Sequence, residues 1–278
     1  MKNLLVANFK EGKKLKFRHD RKRREGMDNL TKLVEAQIKN SIMVGWEPEE
    51  IILVSNFDFE FMGVKALNLK LNEKCLTGSK MYAVKEILER DLSDVIWAHD
   101  LDAWQNVWFD CPEFLDVGAC EYSRPKFNGG SIFWRKSSLD MVDEIIKRIE
   151  ENKQAKEEPT LDAVFKSEAY KDRVTILNPT YNVGCSGFMK RYNASIKPIR
   201  VCHLHPTNRI AWETHRLDRN AYGVKSVSTR LEAILREYWS NLAIKISEEG
   251  AARRIQHLEQ RERTSAREKT WSSGAKSL

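Results

Sequence analysis

What this 278-residue sequence lacks narrows its reading before any motif does. No apolar run approaches the roughly 20 residues that cross a bilayer, so no membrane partner is expected. The opening Met1-Lys2-Asn3-Leu4-Leu5-Val6-Ala7-Asn8 has too short an apolar region for a signal peptide and reads as a strand. Five cysteines (Cys75, Cys111, Cys120, Cys185 and Cys202) are scattered, odd in number and form no CxxC pair. That argues against a disulfide framework and a zinc finger, and reduced thiols in a cytoplasmic protein are expected instead. Familiar phosphate loops are missing. There is no GxxxxGK[ST], since Thr77-Gly78-Ser79-Lys80 lacks the first glycine, and no GxGxxG follows the first strand. A HExxH zinc helix is absent too; the close histidine pair is His203-x-His205.

What is present is ordinary for a globular chain: 41% hydrophobic and 31% charged residues. The charge is not balanced. A net +7 with a pI near 9.1 admits a polyanionic partner. Nine lysines and arginines fall between Lys10 and Arg24 against Glu11 and Asp20. Such a block reads as a solvated loop or as a phosphate-contacting arm, with Arg21, Lys22, Arg23 and Arg24 at its densest point.

Leu4 to Phe9 reads as the first strand. Leu30, Leu33, Val34, Ile38 and Ile42 then recur at helical spacing, and Ile51-Ile52-Leu53-Val54 is a second buried strand. Strand, helix, strand opens a βαβ unit and predicts a parallel sheet. Further strands are read at 64–71, 95–98, 115–120 and 174–177, with an edge strand over 200–206 that stops at Pro206. Helices are expected from a Ser79 cap, over 139–152, and over 161–170 behind a Thr160 cap. Asn128-Gly129-Gly130 reads as a turn feeding the apolar Ile132-Phe133-Trp134. The fold class is therefore α/β: one Rossmann-like domain over 1–225, a mostly parallel mixed sheet flanked by helices. An amphipathic helix carrying Leu231, Ile234, Leu235, Tyr238, Trp239 and Leu242 forms a C-terminal extension over 226–263, and 264–278 reads as a disordered tail.

The strand at Val95 is followed by two carboxylates, Asp100 and Asp102, spaced i, i+2. At strand spacing both point to one face, and a turn would make them converge. Hard oxygen ligands there suit Mn²⁺ or Mg²⁺ carried by a diphosphate. In open α/β sheets ligands sit at that end of the strands. An Asp-rich turn is the competing reading of these residues.

Five features follow in order: Asp100-Leu101-Asp102, Asn128-Gly129-Gly130-Ser131, Glu157-Glu158-Pro159-Thr160-Leu161-Asp162, Tyr181-Asn182-Val183 and His203-Leu204-His205. This order resembles the GT-A glycosyltransferases, the nucleotide-sugar-dependent enzymes with an Asp-x-Asp motif, over roughly residues 1–206. The resemblance implies Asp102 as a direct ligand of the metal, with Asp100 holding the ribose or reaching the metal through water. His203 would complete the metal site, with His205 as the alternative. It places Asn8 and Phe9 at the nucleotide base, Lys80 near donor or phosphate, and Gly129 and Gly130 along the donor sugar. Glu158 and Asp162 match the acidic stretch that supplies a catalytic base. A UDP-sugar donor and a hydroxyl acceptor follow. Compact enzymes of this plan glycosylate hydroxymethylated pyrimidines in DNA, as in viral base modification, and the basic arm makes DNA the expected acceptor, in the host cytoplasm if the chain is viral. Two other classes stay open, a non-catalytic nucleic-acid-binding protein and a metal-dependent nucleotidyltransferase.

Overall fold

The computed structural model describes residues 1–9, 27–71, 78–121, 126–152, 156–184 and 188–203. The basic arm, His205, the C-terminal helix and the tail lie outside the described residues. Eight strands form the main sheet. They are β1 (Lys2–Ala7), β2 (Ile51–Ser55), β3 (Glu60–Phe61), β4 (Val64–Asn68), β5 (Val95–His99), β7 (Val117–Glu121), β8 (Phe127–Arg135) and β9 (Val174–Ile176). Their order is β3-β4-β2-β1-β5-β8-β7-β9. The β4, β2, β1 and β5 pairings are parallel, as is that of β7 with β9, whereas β8 runs antiparallel to both its neighbours. The expected mixed, mostly parallel α/β sheet is what the chain forms.

Both faces are covered, which is why the strands read as continuous apolar runs rather than alternating ones. Leu4, Ile96, Ala98, Ile132 and Trp134 point to one side, under helices α2 (Ser79–Glu89), α3 (Leu139–Glu151) and α4 (Glu157–Phe165). Leu5, Leu53, Trp97 and Phe133 point to the other, where Val34 and Ile38 of α1 (Met27–Met43) meet them.

A second sheet of three short strands joins β6 (Ala103–Gln105), β10 (Val183–Gly184) and β11 (Val201–His203). Here the expectation of an edge strand fails. β11 is the middle strand, parallel to β10 and antiparallel to β6, and its partners are too short to show any periodicity of their own. The glycine pair also differs from expectation. Gly129 and Gly130 lie inside β8, not in a turn before it. Helix α4 begins at Glu157, ahead of the expected Thr160 cap, and ends at Phe165. Pro159 falls in its first turn, where a proline is tolerated because its missing N–H has no helical partner to lose. α5 (Phe188–Ala194) completes the described helices of four or more residues.

Candidate metal centre

Topology brings three separate pieces of chain to one point. β5 ends at His99, and the chain then turns, with the Ala103 N–H donating to the Asp100 carbonyl at 2.9 Å. That turn lets Asp100 and Asp102 converge. Because β8 runs antiparallel to β5 with His99 opposite Ser131, residues 128–130 lie beside the same turn, and the Asp100 N–H donates to the Gly130 carbonyl at 3.0 Å. The β6–β11 register sets His203 opposite Ala103, one residue from Asp102. One ligand atom from each of Asp100, Asp102 and His203 lies within 4.8 Å of the others.

The tautomer of His203 follows from its surroundings. Its Nδ1 is 3.1 Å from Oδ1 of Asn128, an acceptor that also takes the Asn182 side-chain amide at 2.6 Å and the Gly130 N–H at 3.0 Å. Nδ1 is thus the donor, and the other ring nitrogen faces the carboxylates: Nε2 is 3.4 Å from Asp102 and 3.5 Å from Asp100. Burial works against a charge on this imidazole, but Asp102 and Asp100 outweigh it and hold the pKa above the ordinary histidine value. Nε2 and the two carboxylates thus share one positive charge, a place that a proton or a cation bound between them can fill. Two hard oxygens and one imidazole whose second nitrogen is hydrogen-bonded make a donor set that suits Mn²⁺ or Mg²⁺. The residues fit the expected metal.

Lys80, in the first turn of α2, is buried beside this cluster. Its ammonium donates to Asp100 Oδ1 at 2.6 Å and to the Gly129 carbonyl at 2.5 Å, and stands 3.1 Å from Glu157. Burial alone would lower its pKa, yet the Asp100 and Glu157 carboxylates raise it well above that of a free lysine, so it stays charged. Glu157 is itself buried, and burial pushes its carboxyl up to about 7 against the pull of Lys80. Lys80→Met would leave Glu157 buried with no cation beside it. The expected result is a loss of about 3 kcal/mol at pH 8, the scale for breaking a buried pair. With Lys80 gone the Glu157 pKa rises further above its unfolded value, so lowering the pH toward 5 protonates it and should recover part of that loss. Urea unfolding at the two pH values checks this, and an equal loss at both contradicts it.

Both glycines of β8 are closely packed on, Gly130 too closely for any side chain. A Cβ on Gly130 would sit 2.1 Å from His203 Nδ1, and one on Gly129 would sit 3.0 Å from Glu157 Oε1. Gly129 and Gly130, expected along the donor sugar, pack against Glu157 and His203 respectively.

The remaining expected residues are placed as follows. Asn8 and Phe9 follow β1, and the Phe9 backbone is held by the Asn56 side chain at 2.8 and 2.6 Å. Glu158 is exposed and accepts from the Asn128 side-chain amide. Asp162 is turned away to the Phe127 N–H at 3.1 Å and to Lys166 at 2.5 Å. Glu157, Asn128 and Asn182 were assigned no role from the sequence. The signal for Asn128 lay in the Asn-Gly-Gly-Ser stretch; Glu157 differs from Glu158 only in helix phase.

Among the described residues, no helix is long and apolar enough to cross a membrane. No protein-family model matches the chain, and no curated protein matches it. Solved structures do. The chain is similar to the galactosyltransferase LgtC in complex with donor and acceptor sugar analogues, at 14% identity and a TM-score of 0.53 over 84% of this chain and 99% of that one. It is also similar to the glycosyltransferase GlyE of Streptococcus pneumoniae TIGR4, at 14% identity and a TM-score of 0.50. That match covers 80% of this chain but 62% of the other. The chain has the fold of the GT-A glycosyltransferases.

Proposed function

We propose that this chain is a metal-dependent glycosyltransferase, moving a sugar from a nucleotide-sugar donor, a UDP-sugar first, to a hydroxyl acceptor. The observation that carries the reading is the meeting of Asp100, Asp102 and His203 with Nε2 of His203 turned into the space between the carboxylates. Asp102 and His203 would hold Mn²⁺ or Mg²⁺ directly, and Asp100 would share it while bonded to Lys80. When bound, the ion supplies the positive charge that neutralises a leaving diphosphate.

The chain's own residues do the rest. Lys80 adds a second fixed positive charge beside Asp100, and Glu157 holds that ammonium in place. Preorganised charge of this kind costs no reorganisation during reaction. Asn8 and Phe9 take the nucleotide base at the end of β1. Of the two acids expected as base, Glu158 is carried forward, because it is exposed and oriented by Asn128, while Asp162 is committed to Phe127 and Lys166. It would accept the proton of the attacking hydroxyl.

The test is nucleotide release from a panel of UDP- and GDP-sugars, with Mn²⁺ and with chelator. Release of UDP only with the metal supports the reading. Pyrophosphate release from nucleoside triphosphates would move the site to nucleotidyl transfer, and no turnover together with DNA binding would leave a binding protein.

A DNA acceptor, with 5-hydroxymethylpyrimidine as the modified base, rests on the charge of the arm, outside the described residues. Duplex affinity should fall steeply with salt, and neutralising Arg21, Lys22, Arg23 and Arg24 together should flatten the slope by up to about four ion-pair equivalents. An unchanged slope would return the acceptor to some other hydroxyl.

A further inference from the structure

Helix α1 packs against the metal turn from the side opposite Lys80, and its inner face carries two buried amides one turn apart. Gln37, with no exposed surface, donates from Nε2 to the carbonyls of Leu101 at 2.8 Å and Ala103 at 3.1 Å. Those two carbonyls flank Asp102 on either side. Asn40 donates to the carbonyl of Gln105 at 3.0 Å, two residues farther along β6.

Both protons of the Gln37 amide are therefore spent on the backbone around a single ligand. The turn is also held at Asp100, by the Ala103 N–H and the His99 ring on its carbonyl, by its N–H to Gly130 and by the Lys80 ion pair, whereas Gln37 grips the two residues on either side of Asp102. Ala103 is also the residue opposite His203 across the β6–β11 pair. The Leu101 carbonyl belongs to the peptide that leads into Asp102, and the Ala103 carbonyl to the strand against which His203 is registered, so gripping the two together fixes both.

We infer that Gln37 is a positioning residue for the metal centre, setting the separation of Asp102 and His203 through the backbone it grips. It touches no ligand atom itself. The inference rests on the metal reading above. Outer-shell hydrogen bonds made to the ligands themselves are worth about 10–100-fold in metal affinity, and a bond that acts through the backbone belongs at the low end of that range.

The neighbouring amide supplies the control. Gln37→Met keeps length and apolar bulk and removes both donors; Asn40→Leu removes a donor of the same kind from the same strand, away from Asp102. The experiment is a Mn²⁺ titration followed by electron paramagnetic resonance, with melting temperatures measured on the same preparations. Gln37→Met should weaken Mn²⁺ about tenfold and alter the bound-ion spectrum, while Asn40→Leu should lower the melting temperature and leave Mn²⁺ affinity within about twofold. If Gln37→Met does not fold, Gln37→Asn is read the same way, because its shorter amide cannot span both carbonyls.

Equal weakening in the Gln37 and Asn40 variants would mean a general loosening of β6 and would overturn the inference. So would wild-type affinity in the Gln37 variants. A wild-type protein that binds no Mn²⁺ would fail the metal reading first, and is told apart by that.

Discussion

Asp102→Ala should reduce metal-dependent turnover at least about a hundredfold, which corresponds to about 2.7 kcal/mol in the barrier, with little change in stability. Asp102 is buried, at the turn that follows β5. Its carboxylate lies against Asp100 and His203. Without Asp102 the burial of His203 favours its neutral form, so the substitution strands no buried charge. Turnover with and without Mn²⁺, beside a melting curve, separates the two effects. A variant that kept more than about a tenth of wild-type activity would show that Asp102 is not a ligand.

Gly130→Ala is the second large effect, and it comes from space rather than backbone conformation. The added Cβ would need the position now held by the His203 ring, 2.1 Å from Nδ1 and 2.3 Å from Cε1, with Asn128 Oδ1 at 2.9 Å behind it. Neither neighbour can simply swing away, since His203 is buried on β11 and Asn128 accepts three hydrogen bonds. Overpacking at such a site costs about 1–3 kcal/mol, and the ring would leave its place beside the carboxylates. Loss of Mn²⁺ binding with a lowered melting temperature is the expected outcome. In the double variant Gly130→Ala with His203→Ala the clash with the ring disappears and only the 2.9 Å approach to Asn128 Oδ1 remains. Much of the stability should then return while metal binding does not, a non-additivity that only direct contact produces. Purely additive losses would mean that His203 does not lie on Gly130.

Much of this arrangement was legible in the sequence, and for definite reasons. Leu4-Leu5, Ile51-Ile52-Leu53-Val54 and Ile96-Trp97-Ala98 announce buried strands because a sheet covered on both sides needs apolar residues at every position. The acids at Asp100 and Asp102 were readable because their spacing is local. His203 was readable only through its order behind the other motifs. The rest depends on contacts made across long stretches of chain. Asn128 organises the site because Gly130, Asn182 and His203 all donate to it, and nothing beside it in the sequence reports that.

Helix phase decided which of two adjacent acids turned inward. Starting α4 at Glu157 puts that residue against Lys80 and leaves Glu158 at the surface. Strands as short as β6 and β10 have no periodicity to read, so β11 looked like an edge when it lies between them. Gln37 reads from the sequence as one polar position on a helix; its grip on Leu101 and Ala103 exists only once α1 has packed.

The central claim is that one divalent ion is held by Asp100, Asp102 and His203. Mn²⁺ stoichiometry, measured in the presence of UDP on wild type, His203→Ala and His205→Ala, tests it most directly. One ion per chain in wild type and in His205→Ala, with loss of that ion in His203→Ala, is the predicted result. Stoichiometric binding that survives His203→Ala and is lost in His205→Ala would contradict it.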